Sequence, residues 1–160
     1  MITLGPFAVG QDGTLSPRQP GMRPALRFAW RGRRCEAEWR DGCLHLRAIA
    51  GRIPSTADRG LARSRAFAAA AALPLDLPEG WCLRLTPDHR LTLETVAEPQ
   101  ATAVSLLGAM VGFAMALDPY LDRLEAGGAQ WGSAISAPVA MPPPPAPLHT
   151  AASQGAPALP

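Results

Sequence analysis

Asp41-Gly42 is the strongest hairpin signal in the chain, because this dipeptide accepts the positive φ angles of a two-residue turn and lies between stretches that alternate apolar and polar residues. Folding back at that turn sets Trp39 against Leu44, Ala37 against Leu46 and Cys35 against Ala48 on one face. The same register sets Glu38 against His45 and Glu36 against Arg47 on the other. A turn at Arg31-Gly32, chosen independently, pairs Phe28 with Cys35, Leu26 with Ala37 and Arg27 with Glu36. A slip of one residue in either hairpin would turn every side chain to the wrong face, so the agreement of the two turns fixes the register. Residues 25–49 therefore predict three antiparallel strands with one apolar face and a cross-strand row Arg27, Glu36, Arg47 on the other. Cys35 points inward and Cys43 outward, so the two are not bridged.

A second alternating stretch, Trp81 to Val96, folds back through Pro87, Asp88 and His89 and pairs Leu85 with Leu91 and Leu83 with Leu93. Between the two hairpins, residues 58–73 predict a helix: Ser55-x-x-Asp58 opens it, alanines from Ala68 to Ala72 fill it and Pro74 closes it. Upstream, Ile2 to Val9 and Thr14-Leu15 predict a further strand pair, which Pro6 and the prolines from Pro17 to Pro24 weaken.

The longest apolar segment is Gln100 to Leu117, with no charge between Glu98 and Asp118. Asp118-Pro119 reads as an N-cap and first-turn pair, so the helix is expected to kink or restart there and to end at Glu125 or Ala126. Leu106, Met110, Phe113 and Leu117 form a bulky stripe fit for a sheet, and Ala101, Ser105, Gly108, Gly112 and Ala116 a small-residue stripe that permits close backbone approach. Gly127-Gly128 is a natural helix stop, and the uncharged stretch beyond it, with its run Pro142 to Pro145, reads as a disordered or polyproline tail. Pro142-x-x-Pro145 would fit an aromatic-lined groove; such tails are more often spacers.

Charge narrows the function classes. The 15 basic residues, all arginine, against 13 acidic ones leave a net charge of +2, so mass electrostatic binding is not built into the totals. With no lysine or asparagine, the bias fits a GC-rich genome better than a demand for guanidinium chemistry. The distribution is uneven: residues 18–65 carry 12 arginines and 4 acids, residues 76–125 carry 3 arginines and 8 acids, and one end of the fold is expected to be basic and the other acidic. The basic half, with Trp30, Trp39 and His45, raises nucleic-acid binding as an alternative, against which Trp39 points inward and Glu36 and Glu38 neutralise neighbouring arginines.

Catalytic signals are poor. Cys35, Cys43 and Cys82 make no C-x-x-C, and His45, His89 and His149 share no helix face, so neither a zinc site nor a disulfide framework is supported, and no cofactor is implied. Asp88-His89 would offer an acid/base dyad, but a turn needs such residues for its own backbone. No G-x-S-x-G, P-loop or G-x-G-x-x-G occurs. Unpaired thiols and the lack of a secretory leader predict a reduced cytosolic chain. The uncharged run also raises a single membrane span near residues 100–117, against which stand its acidic flanks and its length at the lower edge of spanning.

The order of elements, three antiparallel strands, a linking helix, the hairpin Trp81-Cys82-Leu83-Arg84-Leu85 with Leu91-Thr92-Leu93, and a long closing helix, resembles the type III secretion chaperones and their YbjN-like relatives over residues 25–126. That resemblance implies a small cytosolic homodimer that binds an extended segment of a partner protein and catalyses no reaction. The chain departs from it in its basic balance and in a strand-like, proline-rich lead where an amphipathic helix usually stands.

The sequence thus predicts an α+β domain over residues 1–128, an antiparallel sheet of about five strands packed on one face by two helices, and a disordered Pro/Ala-rich tail over 129–160. The expected function is a non-enzymatic protein-binding or chaperone-like module, with a membrane-anchored protein or a nucleic-acid-binding domain as alternatives. Arg27, Trp30, His45 and Arg47 are expected to meet a protein partner on the open sheet face, and Ser105, Gly108 and Gly112 to serve self-association.

Overall fold

Short strands need partners close by in sequence, and the N-terminal residues supply them. The computed structural model describes residues 2–57 and 62–131. It opens with a three-stranded antiparallel sheet, β1 (Ile2–Leu4), β2 (Phe7–Val9) and β3 (Leu15–Pro17), in that order. One strand more is present than the pair expected. Pro17 is tolerated because β3 is an edge strand, and buried Phe7 anchors the small sheet to the main core.

Within the five-stranded sheet the predicted hairpin pairings are met residue for residue. Arg31 and Asp41 take φ of 49° and 53°, and Gly32 and Gly42 take 76° and 81°, the paired positive values of a type I′ turn. These turns join β4 (Ala25–Trp30), β5 (Arg33–Arg40) and β6 (Cys43–Arg52). After α1 (Ala62–Ala72) and a 3₁₀ turn at Leu73–Asp76 come β7 (Cys82–Leu85) and β8 (Arg90–Ala97). The sheet order is β4-β5-β6-β8-β7, antiparallel throughout, so the second hairpin docks through β8 onto β6. Between Ile49 and Gly51 the β6–β8 register shifts, which leaves Ala50 as the extra residue of a bulge.

The closing helix α2 (Ala103–Ala126) lies against the inner face of this sheet. Of its bulky stripe, Leu106, Phe113 and Leu117 are buried, continued by Leu121 and Leu124, and join Cys35, Ala37, Leu44, Leu46, Ala48, Leu91 and Leu93 in one core, while Met110 is half-buried at its edge. Cys35, Ala37 and Ala48 are small, which leaves room for leucines of the helix; each such leucine contributes about 1.5–3 kcal/mol on burial. The helix begins later than expected and does not restart. Thr102 is its N-cap, accepting from the Ser105 amide at 3.2 Å, and Pro119 lies inside one continuous helix. Asp118 is not a cap, because its carboxylate accepts from Trp30 Nε1 at 2.8 Å instead.

The predicted start of the first helix lies at residues 58–61, outside the described residues. Its described part, α1, buries only Ala66 and packs on the C-terminal end of α2, where a Cβ added to Gly127 would stand 2.3 Å from that of Ala69. The ordered chain continues past the predicted boundary at Gly128. Ala129 is buried, and Gln130 pairs with Arg52 through two backbone hydrogen bonds of 2.9 Å. Trp131 lies over the Arg33 guanidinium. The remaining tail, 132–160, lies outside the described residues.

Candidate functional site

Among the described residues neither helix lies on the outer face of the five-stranded sheet, and the polar side chains there pair chiefly with one another. Glu36 sits between two arginines, accepting from Arg27 Nε at 3.3 Å and Arg47 Nη2 at 3.2 Å, which realises the predicted row. The register carries the row further, since Arg47 lies opposite Glu94 of β8 and Glu94 takes Arg84 of β7 at 2.9 Å. Nearby, Arg40 Nη2 is 3.3 Å from both ring nitrogens of His45, a geometry that puts the guanidinium over the ring and not in its plane. The face is concave, enclosing about 360 Å³ above Glu36, His45, Arg47, Cys82, Arg84 and Glu94.

Arg27, His45 and Arg47 therefore occupy the face expected of them. Trp30 does not. It shares its side of β4 with Leu26 and Phe28, packs against the core and donates to Asp118 on α2. Period-two parity from Phe28 already pointed it inward. Arg84 and Glu94 were missed because the two hairpins were each registered internally and never against each other.

The expected division into a basic and an acidic end is also corrected. Arg31, in the β4–β5 turn, reaches Asp122 at 2.7 Å, Asp118 at 3.4 Å and Glu125 at 3.8 Å, and Arg33 pairs with Glu125. The arginines of the first half thus meet the carboxylates of the second, tying the β4–β5 turn to α2. The partnership with Asp122 raises the already high Arg31 pKa.

The Asp88-His89 pair is spent on its turn. Thr86 Oγ1 donates to Asp88, whose other oxygen holds Arg90 at 2.8 Å, and His89 adopts a left-handed φ of 61°. The Thr86 hydroxyl, ahead of Arg90, holds the Asp88 carboxyl below the usual range, which suits an anchor and not a base. Burial pushes the Cys35 thiol up to about 11, so it is a packing group and not a nucleophile. Among the described residues, no group of three His, Cys, Asp or Glu side chains is placed to hold a metal ion. His149 lies outside them.

Of the self-association residues, Gly108 and Gly112 are exposed, and Ser105 is half-buried beside the N-cap. What sequence reasoning missed is their company. Val104, Leu107, Val111 and Met115 lie on the solvent side of the same helix, 83%, 44%, 56% and 63% exposed. Their spacing of three and four residues was a readable signal, obscured by the bulkier stripe that faces the sheet. No protein-family model matches the chain, and no curated protein matches it.

Proposed function

We propose that the protein is a non-enzymatic, chaperone-like binding module that takes an extended segment of a partner protein across the open face of its five-stranded sheet. The observation that carries this reading is the concave outer face, bare of helices among the described residues and lined by a charge row running from Arg27 through Glu36 and Arg47 to Glu94 and Arg84. An extended peptide presents side chains at a strand's own repeat, so alternating charges on such a face can be matched without rearranging the backbone. Arg27, Arg47 and Arg84 are each already paired with a carboxylate, which favours a peptide of mixed charge over a phosphate backbone.

The element order behind the resemblance to type III secretion chaperones is the order of the strands and helices from β4 to α2, and this supports the same reading. A cytosolic setting fits the free thiols of Cys35, Cys43 and Cys82. The membrane-anchored alternative has one observation behind it: α2 is long and apolar enough to cross a bilayer, with a mean hydropathy of 1.5 over its most apolar window. As a span it would strip Leu106, Phe113, Leu117, Leu121 and Leu124 from the sheet, so it ranks second.

Selection of displayed random peptides on the immobilised protein tests the proposal. An enriched consensus of alternating charge is expected, binding by calorimetry, with affinity reduced at least about tenfold in an Arg27→Glu/Arg47→Glu variant of unchanged melting temperature. Enriched peptides that bind the variant as well as the parent would place the partner elsewhere.

A further inference from the structure

We infer that Arg34 and Arg52 form a subsite for two acidic side chains, two residues apart, in the extended segment that the open sheet face takes. The inference rests on the reading of that face as a peptide surface and adds the chemistry the segment carries at one end.

The β4–β5 and β7–β8 turns bound the same end of the sheet, and the backbone turns four arginines outward there, one on each of four strands. Arg34 lies two residues before Glu36 on β5, hence on the same face. Arg84 of β7 stands opposite Thr92 of β8, and Arg90 begins β8. Arg52 reaches this face through the bulge. Strict alternation from Leu44, Leu46 and Ala48 would send residue 52 inward, but the extra residue at Ala50 reverses the parity, so Arg52 is exposed and Ile53 is fully buried.

Charge singles out two of the four. Arg84 is held by Glu94 at 2.9 Å and Arg90 by Asp88 at 2.8 Å. Arg34 and Arg52 are exposed and pair with no carboxylate among the described residues. Arg52 also stands directly opposite Arg90 across the β6–β8 ladder, a like-charge juxtaposition that costs the sheet stability unless an anion joins it.

Spacing selects the ligand. Arg34 is one step beyond the Cys35–Ala48 pair, level with Ile49, and on β8 the residues opposite Ile49 and Arg52 are Thr92 and Arg90, two apart. The two arginines therefore stand on neighbouring strands about 7 Å apart along the strand axis, the distance that separates side chains i and i+2 on one face of an extended chain. Two carboxylates at that spacing meet one guanidinium each, in the forked geometry that arginine offers. A nucleic-acid backbone fits less well: two free cations do not make a track of phosphate contacts, and Glu36 and Glu94 line the concavity beside them. The opposite end of the face sets the direction. There Arg23 lies 3.9 Å from Glu38 and Arg40 3.7 Å from Asp41, and exposed Glu98, next after β8, has no paired cation among the described residues. An acidic end of the segment is thus repelled from one side and held at the other.

Calorimetry with peptides enriched by display on the full chain, synthesised with both termini capped, tests the inference. The expected consensus places Asp or Glu at two positions i and i+2 beside the alternating charges. Arg34→Gln/Arg52→Gln should weaken binding of such a peptide at least about tenfold, with melting unchanged because both side chains are already in water. Replacing the two acids of the peptide by their amides should cost the same factor, and the amide peptide should bind variant and parent protein alike within about twofold. An acidic peptide held equally by the variant, or an amide peptide that still loses tenfold on it, would overturn the subsite; if Arg27→Glu/Arg47→Glu weakens that same peptide, the reading of the face survives the loss. No enrichment, or peptides indifferent to both variants, would take the reading of the face down together with the subsite. An oligothymidylate that binds more tightly than any peptide and is weakened by Arg34→Gln/Arg52→Gln would make the two arginines a phosphate site instead.

Discussion

Arg33 is a cation with a 2% exposed side chain, and every part of its guanidinium is answered. Its Nε donates to the Ala50 carbonyl at 3.2 Å, which the bulge in β6 leaves available, Nη1 donates to Arg31 O at 3.3 Å, and Nη2 pairs with Glu125 beneath the Trp131 ring. Glu125 is 42% exposed and can return to water alone; Arg33 cannot. The two ends of this pair should therefore respond unequally to removal. Glu125→Ala strands a buried charge and is expected to cost about 2–4 kcal/mol, whereas Arg33→Met removes the charge, keeps most of the apolar stem and should cost about 1–2 kcal/mol. Urea unfolding of both variants checks the order; equal losses would mean that packing of the stem, and not the charge, holds the site.

Two helices come close where α1 meets the end of α2. Gly127 has φ −72°, a conformation open to any residue, so the obstacle to a larger side chain there is the neighbouring Ala69, nearer than the Arg123 and Leu124 carbonyls. Gly127→Ala is expected to cost about 1–3 kcal/mol by forcing the helices apart. In an Ala69→Gly background the same change should cost at least about 1 kcal/mol less, and a denaturation cycle of the four proteins measures that coupling. Local chemistry makes much of this architecture legible in the amino-acid sequence. Type I′ turns set the register of the β4–β5 and β5–β6 pairs, strict alternation that of β7 and β8, and Gly127-Gly128 marked the helix end. What was not legible depended on contacts between distant segments. The docking of β8 on β6, which brings Glu94 beside Arg47, has no local signature. Asp118-Pro119 has the local look of a cap, but Trp30 and Arg31 claim the carboxylate from across the fold. The candidate surface was read in part: parity placed Arg27, His45 and Arg47, misassigned Trp30 when it was not followed to the end of β4, and left out Arg84 and Glu94.

For the whole molecule, a net charge of +2 conceals strong internal cancellation, in which an arginine-rich first half is fastened to an acidic helix by Arg31 and Arg33. That fastening leaves two surfaces of opposite character on opposite sides of one layer pair, a mixed-charge sheet face and an uncharged helix face. They should act independently. Val111→Glu, on the helix face, is expected to leave peptide binding on the sheet face unchanged within about twofold; loss of peptide binding from that variant would show that the helix face takes part in it. The bridge between Arg52 and Gln130 bears on a different property, the way the domain carries load. A pull on the chain beyond Trp131 falls first on the stacked indole and the two backbone hydrogen bonds of that bridge. Only when those have parted does tension reach the last turn of α2, so the core helix is mechanically insulated from whatever is attached downstream.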